Sequence, residues 1–328
     1  AGALDAVQKW AWGPVAVTAP DFTDVWSTPT VGRVADSNCD GRTDELDPPN
    51  VIFVSGRAID ANGRGTCCHC TGAPQSGCRT GVLRMLDGKS GRELWSLTQA
   101  EPGSMGFAGV SVALGDVDGD GELEIAAVTG EGNVVLVSAE GTLKSKSDHL
   151  IPGSAAHSSF GWGGGLSIAD MDHDGFPEIA YGSTVFTARN GQLTRRFAGN
   201  EGVGGGDLNQ ALSILADLDQ SDGGDLELLA GRTAYRADGT ILWSRDGGDG
   251  FPAVADLDRD GVPEVVVVQN GQVTVRVATT GARSLGPLTL GGNGFGGPPT
   301  IADFDGDGRP EIGVAQADFY SMVKPDFG

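Results

Sequence analysis

Six stretches of this 328-residue chain set oxygen-bearing side chains at alternate positions ahead of a glycine. Asp116, Asp118 and Asp120 lead to Gly121, and Glu124 stands at ninth place. Asp170, Asp172, Asp174 and Glu178 repeat the pattern around Gly175. So do Asp256, Asp258, Asp260 and Glu264 around Gly261, and Asp303, Asp305, Asp307 and Glu311 around Gly308. Asp36, Asn38, Asp40 and Asp44 form a looser copy around Gly41. Asp217, Asp219, Asp222 and a late Glu227 form a stretched one. Such spacing suits a hard cation. Calcium takes six to eight oxygens, and positions one, three and five can wrap one ion if the chain then turns sharply. Glycine permits that turn because it enters left-handed backbone space without penalty. The carbonyl at position seven, from Arg42, Glu122, Phe176, Val262 or Arg309, is expected to join the shell. Five to six calcium ions are therefore expected.

Asp-Gly clusters also make plain turns. Four regular copies and two variants, each ending in a carboxylate ahead of a strand, favour metal instead. In the EF-hand the late glutamate sits at position twelve between helices. Here it sits at position nine, and runs such as Ile125–Val128 and Val265–Val268 follow. The expected loop therefore joins two strands.

Those strands must recur with the loops. The first aspartates at 36, 116, 170, 217, 256 and 303 are spaced by 39 to 80 residues. A unit of roughly 40–50 residues fits a four-stranded propeller blade. The sequence thus predicts an all-β fold, a six-bladed β-propeller rather than a seven-bladed one. Its calcium loops lie between the first and second strands of the blades. One propeller is expected to span residues 1–328. Turns at Glu140-Gly141, Asn190-Gly191 and Asp238-Gly239 open the fourth strands, where Trp95 and Trp243 are expected to pack between blades. The last unit lacks a fourth strand, and residues 1–12, with Trp10 and Trp12, are expected to close it. The long first gap holds a Cys-rich insertion, residues 59–80, between two ordinary strands of the first blade.

The formal charge is -22, from 44 acidic and 22 basic side chains. The loops account for 23 of the acids, and six calcium ions would bring the net charge to -10. Such acidity excludes nucleic acid and anionic membranes as natural partners. No stretch of 18 apolar residues is present, so no membrane span is encoded. No signal peptide is visible, and an exported chain is expected to have lost one. Cys39, Cys67, Cys68, Cys70 and Cys78 suit an oxidising, calcium-rich exterior. The last four read as a disulfide-stapled loop of open connectivity. A zinc knot around His69 is the rival, although the spacing to Cys78 fits no common zinc pattern.

The acidic loops ahead of Ile/Val runs resemble FG-GAP/VCBS repeats, related to the calcium-binding blades of integrin α-subunits. The phrases from Gly81 to Trp95 and from Pro298 to Ile312 are similar to exported bacterial members. The resemblance covers nearly the whole chain and implies a calcium-binding propeller. Its Phe-Gly element is degenerate here: Phe160-Gly161 and Phe295-Gly296 remain, whereas Phe107-Ala108 and Phe251-Pro252 depart.

Function is less constrained. The expected role is a non-catalytic extracellular or cell-surface scaffold or adhesion module. It would meet a protein or glycan partner, or copies of itself in a fibre, sheath or surface layer. A lectin-like or peptide-binding module is the alternative, with Trp162 and Phe295 as stacking surfaces. A polysaccharide-degrading enzyme is the third reading. Against it, no Gly-x-Ser-x-Gly or His-Glu-x-x-His signature appears, and His157, Asp207 and Asp246 are scattered.

Overall fold

A computed structural model of the protein describes residues 7–13, 18–57, 79–152, 162–204, 211–221 and 223–327. The described residues are all β, without a helix. The cysteines of the insertion, together with His69, His157, Asp207 and Asp222, lie outside them.

Six antiparallel meanders follow one another along the chain. The first pairs Asn50–Gly56, Val82–Asp87 and Glu93–Leu97, with Asp24–Val25 and Thr30–Gly32 both edging Asn50–Gly56. The second runs Ala113–Gly115, Glu124–Val128, Asn133–Val137 and Leu143–Leu150. The third is Ser167–Ala169, Glu178–Tyr181, Thr184–Arg189 and Gln192–Ala198. The fourth is Ile214–Ala216, Glu227–Ala230, Thr233–Tyr235 and Ile241–Ser244. The fifth is Phe251–Ala255, Glu264–Gln269, Gln272–Val277 and Arg283–Thr289. The sixth has three strands, Thr300–Ala302, Glu311–Ala315 and Tyr320–Val323. By compactness the chain divides into two units. Ala1–Asp116, with Asp120–Lys146 and Ser154–Gly163, holds the first two sheets. Gly164–Gly328, with two short pieces, holds the other four.

The burial explains the sequence pattern. Second strands such as Glu124–Val128, Glu178–Tyr181 and Glu227–Ala230 are buried at every residue, as a short continuous apolar run should be. Outer strands such as Leu143–Leu150 alternate with solvent. Within each unit the core lies between successive sheets. Ile52, Leu83 and Met85 of the first sheet pack with Ile125, Val135 and Val137 of the second. Leu229 and Trp243 of the fourth pack with Val265 and Val267 of the fifth. Val266, Val268 and Val275 of the fifth pack with Ile312 and Val314 of the sixth.

The tryptophans pack as expected between sheets, and by one repeated device. Trp95 donates its indole N–H to Ala139 O at 2.7 Å, and a Cβ on Gly141 would lie 3.0 Å from its ring. Trp243 does the same with Ala278 O at 2.7 Å and Gly281. In both, the turn of the next sheet must carry glycine because the indole fills the space of a side chain. Residues 7–12 form no strand among the described residues, yet Trp10 repeats the device on the first sheet. It donates to Gly88 O at 3.0 Å and covers Gly91. Trp12 lies edge-on to Phe53, with the buried Arg84 guanidinium over its ring.

The turns differ in kind. Asn190-Gly191 has both central φ positive, at 53° and 73°, as a two-residue type I′ hairpin requires. Asn270-Gly271 forms a second such turn between the second and third strands of the fifth sheet. At Glu140-Gly141 and Asp238-Gly239 only the glycine is left-handed. The strands on either side of the Cys-rich segment, Asn50–Gly56 and Val82–Asp87, pair directly with each other.

Candidate metal centres

Each regular loop is held in shape by its own acids. The first aspartate accepts two backbone N–H groups. Asp170 takes those of Asp174 (3.1 Å) and Gly175 (2.9 Å), and Asp256 those of Asp260 (3.1 Å) and Gly261 (3.0 Å). Asp116 and Asp303 repeat this with Asp120 and Gly121, and with Asp307 and Gly308. The fifth-position aspartate accepts the N–H of position seven. Thus Glu122, Phe176, Val262 and Arg309 donate to Asp120, Asp174, Asp260 and Asp307. The glycine at position six has φ of 85–90° in all four loops. For Gly121, Gly175 and Gly261 an added Cβ would meet nothing within 4 Å, so conformation alone demands glycine there. Position four is left-handed as well: Gly119 (77°), His173 (55°), Arg259 (69°) and Gly306 (77°).

The late glutamate opens the second strand and is buried. Its Oε2 accepts the N–H of position two: Met171 to Glu178 at 3.0 Å, Leu218 to Glu227, Leu257 to Glu264 and Phe304 to Glu311, each at 2.8 Å. Position two is apolar for a reason that spacing did not reveal. Val117, Met171, Leu218 and Leu257 are buried and pin the loop to the sheet, while Phe304 of the last sheet is exposed.

This leaves the remaining carboxylate oxygens converging. Asp303, Asp305, Asp307 and Glu311 place ligand atoms within 4.8 Å of one another. Asp116, Asp118 and Glu124 do so, as do Asp170, Asp172 and Glu178, Asp217, Asp219 and Glu227, and Asp256, Asp258 and Asp260. The Oε1 atoms of Glu178 and Glu311 are buried, and each faces a cation of the chain, Arg196 at 3.1 Å and Lys324 at 3.2 Å. Burying a carboxylate oxygen is costly unless a cation faces it. An all-oxygen set around such an atom fits calcium. Burial, reinforced by neighbouring loop aspartates, raises the carboxyl pKa of Glu227 and of Glu264 against the pull of their backbone N–H bonds.

Internal cations divide the loops into two kinds. Lys144 reaches Asp120 (2.8 Å) and Glu124 (2.7 Å). Arg196 reaches Asp172 (2.7 Å) and Glu178 (3.1 Å), while Arg189 meets Asp174 (2.5 Å) and lies over the Phe176 ring. Lys324 meets Asp305 (2.9 Å), Asp307 and Glu311 (3.2 Å). Among the described residues, no Lys or Arg lies within 4 Å of the carboxylates at Asp217, Asp219 and Glu227, nor of those at Asp256, Asp258, Asp260 and Glu264. Asp120 and Asp174 stand outside the converging sets, each held by its cation.

The first loop keeps the frame but exchanges its last member. Asp36 accepts the N–H groups of Asp40 (3.2 Å) and Gly41 (2.7 Å), and Arg42 donates to Asp40. Asn38 Oδ1 accepts the Asp40 N–H at 2.8 Å. Asp44, expected as the late ligand, caps a turn by accepting the Leu46 N–H. The buried Asp47 takes the glutamate's place, accepting the N–H of Ser37, the second position, at 2.7 Å. It also accepts those of Asn38 and Asp44, and the Asp44 bond above all holds its carboxyl below the ordinary value. Cys39, at position four, is exposed with a free thiol.

Successive loops of the second unit touch through position four. His173 Nε2 meets Gly224 O at 2.6 Å, and Gln220 Nε2 donates to Gly261 O at 2.7 Å. Arg259 lies against Gly308, where a Cβ would come within 3.4 Å of its guanidinium. The Asp217 loop keeps its left-handed fourth residue, Gln220, and its first two aspartates.

Residues 116–181 and 256–314 match the FG-GAP-like repeat family. Among solved structures, the V. cholerae biofilm matrix protein Bap1 is similar at 25% identity and a TM-score of 0.64, over 84% of this chain and 41% of that one. The rhamnogalacturonan lyase YesW is similar at 17% identity and a TM-score of 0.62, over 90% of this chain and 56% of the enzyme. The exotype rhamnogalacturonan lyase YesX gives 18% and 0.62, over 92% and 56%. The chain thus spans about half the length of these proteins. Among curated protein sequences, none matches it.

Proposed function

The chain carries FG-GAP-like repeats on a β-propeller-like fold, and from that premise we propose a calcium-stabilised, non-catalytic extracellular scaffold or adhesion module. The observation that carries this reading is the repeated acidic loop, closed by a buried glutamate, at the head of five successive sheets. Calcium held there would supply the positive charge that the converging oxygens require and lock each sheet to its loop. Asp116, Asp118, Asp120 and Glu124 would hold one ion, and Asp170, Asp172, Asp174 and Glu178 a second. Asp217, Asp219, Asp222 and Glu227 would hold a third, and the sets at Asp256 and Asp303 two more. Asp36, Asn38, Asp40 and Asp47 would hold a sixth. Position-seven carbonyls would complete the shells.

Similarity to a biofilm matrix protein supports a role outside the cell in joining material. The last sheet supports self-association as the way of joining. Among the described residues Tyr320–Val323 has a neighbour on one side alone, and Tyr320 and Met322 are exposed. An unpaired edge of this kind offers N–H and C=O groups to a second chain. The likeness to the two lyases lies in the fold alone. Against a lyase role, most of the chain's clustered acids serve the loops, and Asp246 is an exposed loop residue.

Light scattering on the purified chain, with calcium and after chelation, tests the reading. Calcium-dependent growth of the scattering mass is expected, with no release of unsaturated product from pectic polysaccharide. A calcium-loaded monomer at high concentration that cleaves such a polymer would replace the scaffold with an enzyme.

A further inference from the structure

Acids outnumber bases two to one in this chain, yet four arginines gather where the fourth and fifth sheets meet. Arg276 is half buried, and burial together with Arg245 and Arg283 lowers the pKa of its guanidinium. Among the described residues no carboxylate lies within 4 Å of Arg276, Arg245 or Arg283. The Nε atoms of Arg276 and Arg245 are buried without a hydrogen-bond partner. Arg276 donates one bond, to Gly281 O at 3.0 Å. Arg245 donates to Thr280 O.

Arg84 shows what a purely structural buried arginine looks like in the same fold. It bonds Ser55 and Ser96 hydroxyls, the carbonyls of Thr18, Ala19 and Phe22, and Glu93 at 3.3 Å. Every donor of its fork is engaged and its charge is paired. Arg276 has neither. A desolvated charge left in that state is costly, and repulsion from two neighbours adds to the cost. An anion from outside the chain would offset that cost.

A cavity of about 50 Å³ lies at this place. Gln272, Thr274 and Arg276 line it from one strand, at the alternate positions that share a face. Val267 and Gln269 line it from the adjoining strand, where Val267 pairs with Thr274 and Gln269 with Gln272. Arg232 and the backbone of Gly247 and Gly248 close it from the fourth sheet. Asp246 is the acid in this lining, and it is exposed; Arg232 also faces Glu201 at 3.6 Å. The volume admits a few atoms, the size of one charged group and not of a sugar ring.

We propose that this cavity binds a small oxyanion, a carboxylate or sulfate group carried on a glycan. The Arg276 and Arg232 guanidinium groups supply the charge and the planar donors suited to paired oxygens. The Gln269 amide and the Thr274 hydroxyl are placed to fix its orientation. The sugar bearing the group would rest outside, over the rim formed by Gly247 and Gly248. The site is distinct from the acidic loops, and its failure would leave the calcium reading untouched.

Titration calorimetry on the calcium-loaded full chain tests this, with sodium sulfate, galacturonate and neutral galactose at fixed ionic strength. At least one anion is expected to bind and galactose is not; whichever anion binds more tightly identifies the group. Arg276→Met is expected to weaken anion binding by tenfold or more, without lowering the melting temperature in chloride buffer that lacks sulfate and galacturonate. Thr274→Val and Arg232→Met, on other walls of the cavity, give independent readings should the first variant fold poorly. Each is expected to weaken binding severalfold. No binding of either anion to the unmodified chain overturns the proposal, as does binding that Thr274→Val and Arg232→Met leave unchanged.

Discussion

At the sixth position of each regular loop the backbone is left-handed in open space, so a methyl group there is penalised by conformation alone. Gly261→Ala is expected to cost about 1–2 kcal/mol in a thermal or urea melt. Gly261→Asn should cost clearly less, because asparagine tolerates that region. Equal losses would mean that shape, not backbone conformation, matters there. Lys324 makes a second residue-scale case. Its ammonium faces Asp305, Asp307 and Glu311, where calcium would sit, and those acids hold its pKa well above the usual lysine value. Lys324→Met is expected to raise the calcium affinity of the last loop severalfold, followed by terbium luminescence, and to destabilise the calcium-free chain. An unchanged titration would show that the ammonium does not compete with the ion. The acidic spacing was legible in the sequence because loop ligands are local. The competing cations were not, since Lys144, Arg189 and Arg196 reach the loops only through strand pairing. Asp47 escaped for a related reason. The second strand of the first sheet starts at Asn50, so the late acid shifts with it from Asp44 to Asp47. The left-handed fourth position was hidden because Cys39, His173, Gln220 and Arg259 fill it in four loops.

Between elements, the loops of the second unit are linked in series by His173, Gln220 and Arg259. An ion that orders one loop should therefore help to order the next. Gln220→Ala, which removes the bond to Gly261 O, is expected to lower the cooperativity of calcium binding while leaving the number of sites unchanged. Calorimetric titration reads both. A cooperativity that survives would assign any coupling to the sheets. The tryptophan device acts at the same scale. Replacing Gly281 with Ala would drive a Cβ to 2.5 Å from the Trp243 ring. The variant should lose about 1–3 kcal/mol through overpacking. The strands themselves were readable, because continuous apolar runs such as Val265–Val268 fit fully buried strands. Less readable were the turns. Asn190-Gly191 adopts the mirror-image hairpin form, whereas Glu140-Gly141 does not, because glutamate avoids positive φ.

Over the whole molecule, a charge of -22 works against compactness until cations offset it. Internal lysines and arginines neutralise three loops, and the acids at Asp217 and Asp256 have no such partner among the described residues. Each calcium site filled at a hundredfold excess over its dissociation constant adds about 2.7 kcal/mol. Chelation should then lower the melting temperature by more than about 10 °C. The all-β repeat was visible from spacing alone, since six acidic loops recur at blade-sized intervals. The partner was not, because it depends on surfaces that the repeat does not constrain. Whether the acidic loops are metal sites is decided by elemental analysis of the chain after equilibrium dialysis against millimolar calcium. Five to six calcium ions per chain are expected, and fewer than one per chain would mean that the loops are plain turns.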